Sequence, residues 1–251
     1  MYLSALIPSG TRQRDFSPRV FPEYANPCPP LWSFPGVIRN TSTIWEHVLD
    51  LADKVEVKKG NILYPDEGKT PPFYYLKKGK LCVYLFNEKG EEFSPHYIFS
   101  GSLINDGFWI LNNQINPHPV KTLEDCEIYL FDRALDFQTL LNINPALVQN
   151  LMYSQAVKDI CYSRLAYINA YKAPTTRVSL FLYEMYRVWK TKVFTPGITQ
   201  AELANLLHMH KVTVSNTISE LKTKGIIKEF TKSVLHLLEP EKLREHVRIG
   251  V

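Results

Sequence analysis

The sequence predicts an α+β protein of three successive parts: a barrel of short strands, one long helix, and a C-terminal helix pair followed by a hairpin. Three observations carry this. From Lys54 to Asp132, β-forming runs alternate with Gly-containing turns, the rhythm of a small barrel or sandwich rather than of a parallel α/β sheet. From Asn144 to about Tyr171, no Gly, and no Pro after Pro145, interrupts a helical pattern. From Ile198 to Leu238, two helical patterns, a tight turn and two short strands follow one another as a winged helix-turn-helix.

Composition bounds the reading. A chain of 251 residues with 45% apolar content can bury one large core or two modest ones. There is no apolar run of membrane-spanning length, and the N-terminus lacks a cationic segment followed by an apolar one. A cytoplasmic protein without a membrane partner is therefore expected. Cys28, Cys82, Cys126 and Cys161 are dispersed, without CxxC or zinc-ligand spacing. Buried thiols in a reducing compartment are expected, with no metal site and no cofactor. The net charge of +4 is unevenly spread. Lys172 to Val251 holds 13 Lys/Arg against 7 Asp/Glu, and Met1 to Tyr171 holds 16 against 18. The cationic excess lies with the helix pair, where phosphate contacts would need it.

Residues 1–40 form a Pro-rich arm, in which Pro blocks regular ladders and Phe21, Tyr24, Trp32 and Phe34 can anchor the chain to a folded body. A helix is expected from Thr41 or Ser42 to Leu51. Strands are expected at Val55–Val57, Asn61–Tyr64, Phe73–Lys77, Lys80–Phe86, Glu92–Phe99, Val120–Leu123 and Glu127–Phe131. Residues 41–145 thus form the strand-rich domain. Residues 146–172 form the long helix and hinge. Leu147, Leu151, Ser154, Lys158, Cys161, Leu165 and Ile168 make one stripe of that helix. Asn150, Tyr153, Val157, Ile160, Arg164, Tyr167 and Tyr171 make another. Two such stripes call for two partners, one of which can be the same helix of a second copy. Residues 173–251 form the last domain, opening with a helix capped by Thr175 or Thr176.

In that domain, Thr199 followed by Glu202 is a reciprocal capping pattern for a helix from Gln200 to Leu207. After His208, Met209 and His210, a second helix carries Val214, Ile218 and Leu221 inward. Lys211, Val212, Ser215, Asn216 and Ser219 face outward, a short polar face suited to a DNA major groove. Two cations and Gly225 end it. Ile226–Phe230 and Val234–Leu238 make the wing, with Thr231-Lys232-Ser233 at its tip. A helical hairpin alone would be at home in many cores. The attached wing and the local positive charge favour double-stranded DNA as the partner.

The order of barrel, long helix, hinge, helix and winged helix-turn-helix resembles the Crp/Fnr superfamily of bacterial transcription regulators. ITQAELANLLHMHKVTVSNTISELKTKGII, APTTRVSLFL and the KKGKLCVYLFNEKGEE…FSGSLIND register carry the resemblance. It implies a cyclic-nucleotide-binding-like β-roll, a dimerisation helix and a DNA-binding wing. It also implies a homodimer on a palindromic operator, a small-molecule effector, contact with RNA polymerase, and no enzymatic activity. No nucleophile elbow, phosphate loop or HExxH pattern argues for catalysis. The resemblance places Thr199, Gln200, Lys211, Val212, Thr213, Ser215, Asn216 and Lys232 at DNA.

Departures narrow the effector. Where nucleotide binders of the family carry an Arg-Ser pair, this chain reads Asn105-Asp106 and later Asn116-Pro117, so no cation meets a phosphate. Only Cys28 lies where the iron–sulfur branch has a cysteine cluster. The nearest His to FSGSLIND is His96, which leaves haem unsupported. The closest likeness is to halorespiration regulators that sense chlorinated phenolic acids. It implies Lys80 and Lys158 as effector contacts, with Tyr84, Tyr97 and Tyr162 as pocket lining beside Tyr74 and Phe86. Read without the resemblance, the lysines are surface residues and the aromatics core. A redox, gas or haem sensor on the same scaffold is the other reading.

Overall fold

The structure, a computed structural model, describes residues 14–64, 73–86, 88, 90, 92–111, 118–131 and 134–248, with only the backbone of Glu92 and 246–248. It divides into two compact units. The first is Met1–Ser33, Val37–Glu92 and His96–Asp159; the second is Phe34–Gly36, Phe93–Pro95 and Ile160–Val251.

In the first unit, β1 (Val37–Ile38) precedes a helix over Thr43–Leu51. That helix is 3-10 rather than α, and Val48 (φ −131°) breaks it. Its tight turns bury Ile44, Trp45, Val48 and Leu51. Then come β2 (Ala52–Val57), β3 (Ile62–Leu63), β4 (Tyr74–Lys78), β5 (Lys80–Val83), β6 (Leu85–Phe86), β7 (Glu92–Phe93), β8 (Tyr97–Phe99) and β9 (Ser102–Ile104). The five-residue helix α1 (Asp106–Ile110), β10 (Val120–Thr122), β11 (Cys126–Phe131), α2 (Phe137–Ile143) and the first part of α3 (Pro145–Asn169), which runs on into the second unit, complete the series. The expected strands Lys80–Phe86 and Glu92–Phe99 are each split, the first at Tyr84 and the second at Ser94–His96, where Pro95 has no N–H for a ladder. Pro65–Gly68, between the expected strands Asn61–Tyr64 and Phe73–Lys77, and Asn116-Pro117 lie outside the described residues.

Two sheets, ordered β1-β8-β5-β10-β3 and β2-β11-β4-β9, make the β-roll. Alternation along the strands decides what each buries. Tyr74, Leu76, Ile104, Ile128 and Leu130 enter one core with Leu81, Val83 and Ile98. Phe73, Tyr75, Leu103 and Phe131 enter the other, with Trp45, Leu140, Ile143, Leu147 and Leu151. The arm lies on this unit. Arg19 makes two 2.6 Å contacts with the Asp50 carboxylate, Asn150 Nδ2 donates to Pro27 O at 2.7 Å, and Tyr153 Oη donates to Pro29 O at 2.5 Å.

The first stripe of α3 is buried along its whole length. The second is divided: Asn150 and Val157 are buried, whereas Ile160 and Tyr167 are exposed together with Met152.

In the second unit, α3 is followed by α4 (Pro174–Trp189), β12 (Val193–Phe194), α5 (Gln200–Leu206), α6 (Lys211–Thr223), β13 (Ile227–Phe230), β14 (Leu235–Leu237) and α7 (Lys242–Arg248). Ala173, not Thr175 or Thr176, is the N-cap of α4. Pro174 takes the first helical position, where its missing N–H costs nothing. The wing sheet has three strands, β12-β14-β13, one more than the hairpin pattern foretold. Strict alternation fails in β13: Lys228 and Glu229 are both exposed, and the register shifts between Ile227 and Glu229.

Candidate DNA-reading surface and effector site

The helix-turn-helix is built by three cap motifs. Thr199 Oγ1 accepts from Glu202 N at 3.1 Å, and Glu202 Oε2 accepts from Thr199 N at 2.8 Å. This is the reciprocal cap read from the sequence. At the other end of α5, Met209 N donates to Ala204 O at 2.9 Å and His208 N to Asn205 O at 3.2 Å. His208 occupies the left-handed seat at φ 49° that glycine usually takes. After α6 the same pair of bonds recurs, from Ile226 N to Leu221 O at 3.0 Å and from Gly225 N to Lys222 O at 2.9 Å. Gly225, at φ 67°, holds the left-handed seat there.

Between these caps, Val214, Ile218 and Leu221 are buried to 1% exposure or less. The 3.6-residue period then leaves Lys211, Val212, Ser215, Asn216 and Ser219 exposed on one face, with Val212 at 68%. Thr213 is half-buried and Lys232 is exposed at the wing tip. Two residues expected at DNA have structural duties: the Thr199 hydroxyl is the cap, and Gln200 Nε2 reaches Phe230 O at 3.4 Å. Two residues that sequence reasoning passed over hold the turn. Arg177 Nη1 donates to Leu207 O at 2.7 Å and Asn169 Nδ2 donates to Leu206 O at 2.9 Å. Nothing in the local pattern of either residue signals such a distant partner.

In the β-roll, both lysines are buried rather than solvated. Lys80 is 1% exposed. Its cross-strand neighbour is Phe99, and its ammonium stands 4.7 Å from the Phe99 ring centre and 5.1 Å from that of Tyr97. The Arg39 guanidinium lies 4.4 Å from the same Phe99 ring, and burial lowers its pKa to about 10. Lys158 is 8% exposed and forms an ion pair with Asp106, itself 1% exposed. It also donates to Leu103 O at 3.2 Å. His96 is pushed down to about 3 by burial, with Lys158 and His118 adding to the effect, so its ring is neutral at neutral pH. Beside the Asp106–Lys158 pair, Gly107, Phe108, Ile110, Leu111 and Gln155 line a cleft of about 340 Å³. Ser102 Oγ and Gln155 Nε2 are buried without a hydrogen-bond partner among the described residues.

The structure therefore brings Lys80 and Tyr97 together and gives Lys158 a carboxylate partner the sequence did not suggest. Tyr84 is engaged elsewhere: its ring packs on Phe86 at 4.9 Å and carries Lys121 at 4.6 Å. Tyr162 is half-buried in the second unit, and Tyr74 belongs to the β-roll core. Among the described residues no three His, Cys, Asp or Glu side chains cluster as metal ligands, and no helix is long and apolar enough to cross a membrane.

A β-roll, a long helix and a winged helix-turn-helix with a polar outward face define a DNA-binding transcription regulator. The model of the Crp-like helix-turn-helix domain matches residues 176–246. The chain is 22% identical over 201 residues to the fumarate and nitrate reduction regulatory protein of Escherichia coli, covering 74% of this chain and 77% of that one. It is 22% identical over 181 residues to the cAMP-activated global transcriptional regulator CRP of Pasteurella multocida, covering 70% and 86%. Among solved structures it resembles CprK complexed with OCPA, at a TM-score of 0.68 and 19% identity, covering 87% of this chain and 100% of that one. A CooA variant from Carboxydothermus hydrogenoformans gives a TM-score of 0.66 at 19% identity, covering 82% and 95%. Residues 176–246 thus match a Crp-like helix-turn-helix domain, and the chain as a whole is similar to Crp/Fnr transcription regulators.

Proposed function

We propose that this protein is a cytoplasmic, ligand-responsive homodimer that binds a palindromic operator and contacts RNA polymerase. Its effector is a small anionic aromatic, such as a halogenated aromatic acid. The carrying observation is the exposed face of α6, Lys211, Val212, Ser215 and Asn216, set on a fully buried apolar row. Lys211 and Lys232 supply charge to phosphates, Val212 meets a thymine methyl, and Asn216 pairs with adenine. Thr213 and Ser215 add short polar contacts, while Thr199 and Gln200 fix the start of α5. The outward residues Met152, Ile160 and Tyr167 of α3 give a second copy an apolar seam. In functional terms the chain comprises the arm (1–40), the effector-binding β-roll (41–145), the dimerisation helix and hinge (146–172) and the DNA-binding domain (173–251). No feature of the site calls for turnover.

Selection of bound duplexes from a random pool is expected to return A·T-rich half-sites related by two-fold symmetry. Asn216→Ala should cost about 1–3 kcal/mol and relax one position. G·C-rich half-sites, or an unchanged preference in the variant, would overturn these assignments.

Two features support an anionic aromatic over a nucleotide. Lys80 sits against the Tyr97 and Phe99 rings, and Asp106, in the register of the family's nucleotide contacts, is itself a carboxylate. Lys158 contributes through its pair with Asp106, whereas Tyr84 packs on Phe86 and Tyr162 lies in the second unit, so neither is kept as pocket lining. CprK, a structural neighbour, is complexed with OCPA. The thiol-sensor alternative is weakened by burial, which raises Cys126 to about 11 and Cys161 to about 12 and so suppresses their thiolates. Thermal-shift screening against aryl acids, halogenated phenols, cyclic nucleotides and haem is expected to show stabilisation by an aryl acid or phenol. Lys80→Met should remove about 1–3 kcal/mol of that binding. Stabilisation by a nucleotide alone would replace the effector reading.

A further inference from the structure

Phe34-Pro35-Gly36 belongs to the second unit, although Ser33 and Val37 on either side belong to the first. Phe34 is 1% exposed. Its ring stands edge-on to Phe181 at 5.9 Å and tilted to Trp189 at 5.5 Å. Trp189 stacks on Phe194 of β12 at 4.8 Å, and β12 pairs with β14 of the wing. Phe34 thus plugs the packing that supports one DNA-facing element.

Gly36 addresses the other. It adopts φ 70°, and a Cβ placed there would lie 2.6 Å from Leu206 Cδ2 and 2.8 Å from Leu165 Cδ2. Both the backbone conformation and the close approach require glycine. Leu206 is the last residue of α5, and its carbonyl is the one held by Asn169. Next in the chain come Leu207, held by Arg177, and the left-handed His208. The His208 ring lies 5.6 Å from that of Phe93, from the other short segment that belongs to this unit.

We propose that Phe34-Pro35-Gly36 is an in-chain clasp of the DNA reader. It holds the support of the wing through Phe34 and the turn before α6 through Gly36, and so sets operator affinity from about 170 residues away in sequence. The orientation of α6 follows from the turn Leu206–His210, and a helix displaced by even a small fraction of its diameter misplaces every side chain that meets a base edge. Residues 34–36 are accordingly a working part of the DNA-binding domain. This rests on the reading that α6 contacts DNA.

The test uses the full chain with Phe34→Ala, Phe34→Leu and Gly36→Ala. Affinity is measured for the selected operator and for a duplex of unrelated sequence, and amide hydrogen exchange is mapped along the chain. Phe34→Ala and Gly36→Ala are expected to lose operator affinity by at least about tenfold. Their exchange should quicken at the amides of His208 and Met209 and in β12, while the β-roll keeps its protection. Phe34→Leu, which keeps an apolar plug, should stay near the wild type. Operator affinity and exchange unchanged in both Ala-bearing variants would overturn the clasp. So would protection lost throughout both units, which would make these residues plain core. If the wild type retains no operator at all, the DNA reading fails instead.

Discussion

Lys158→Met is expected to destabilise the β-roll by about 3–5 kcal/mol, because it leaves the Asp106 carboxylate buried without its cation. Asp106 is 1% exposed and Lys158 8%, so water cannot replace the lost partner. Urea unfolding of the variant checks the size of the loss. The double variant Lys158→Met, Asp106→Leu removes both charges and should recover most of it. A single variant as stable as the wild type would mean that the pair is in effect solvated.

The comparison also separates two roles of Lys158. A lysine that serves only the effector would change ligand affinity and leave the unliganded protein intact. A lysine whose ammonium satisfies Asp106 and the Leu103 carbonyl changes both.

Trp45→Ala is expected to cost about 5 kcal/mol, from the lost ring and from one hydrogen bond. Trp45 is fully buried, its ring stands 5.1 Å from both Phe73 and Phe131, and Nε1 donates to Asn150 Oδ1 at 2.8 Å. Asn150 spends its amide hydrogens on Pro27 O at 2.7 Å and Thr41 O at 2.8 Å. Removing the indole thus empties a core position and loosens the residue that ties the arm to α3. Trp45→Phe keeps most of the apolar volume but strands Asn150 Oδ1. It should cost about 1–3 kcal/mol. Urea unfolding followed by circular dichroism distinguishes the contributions. A Trp45→Phe protein equal to the wild type would show that the hydrogen bond adds nothing net.

Local chemistry was legible wherever it was local. The Thr199–Glu202 cap, the His208 turn, the inward row Val214, Ile218 and Leu221, and Gly225 at the end of α6 depend on residues within a few positions of one another. Their bonds follow from the backbone geometry that those residues favour. The buried stripe of α3 is periodic and reads in the same way. The helix over Thr43–Leu51 was legible as a helix from its apolar spacing, but α and 3-10 turns share that spacing, so its 3-10 type came from the structure. The short elements β1, β9 and α1 were missed because two to five residues carry too little pattern.

The candidate sites divide along the same line. By itself the sequence determined which face of α6 is polar and that the last 80 residues carry the positive excess, since both follow from residue identity and period. Only the tertiary structure decided that Lys80 lies buried against Phe99 and Tyr97, that Lys158 is neutralised by Asp106, and that Phe34 and Gly36 pack within the DNA-binding unit. Each of these joins residues tens to well over a hundred positions apart. Their meeting depends on sheet register and chain path, and no local propensity encodes either.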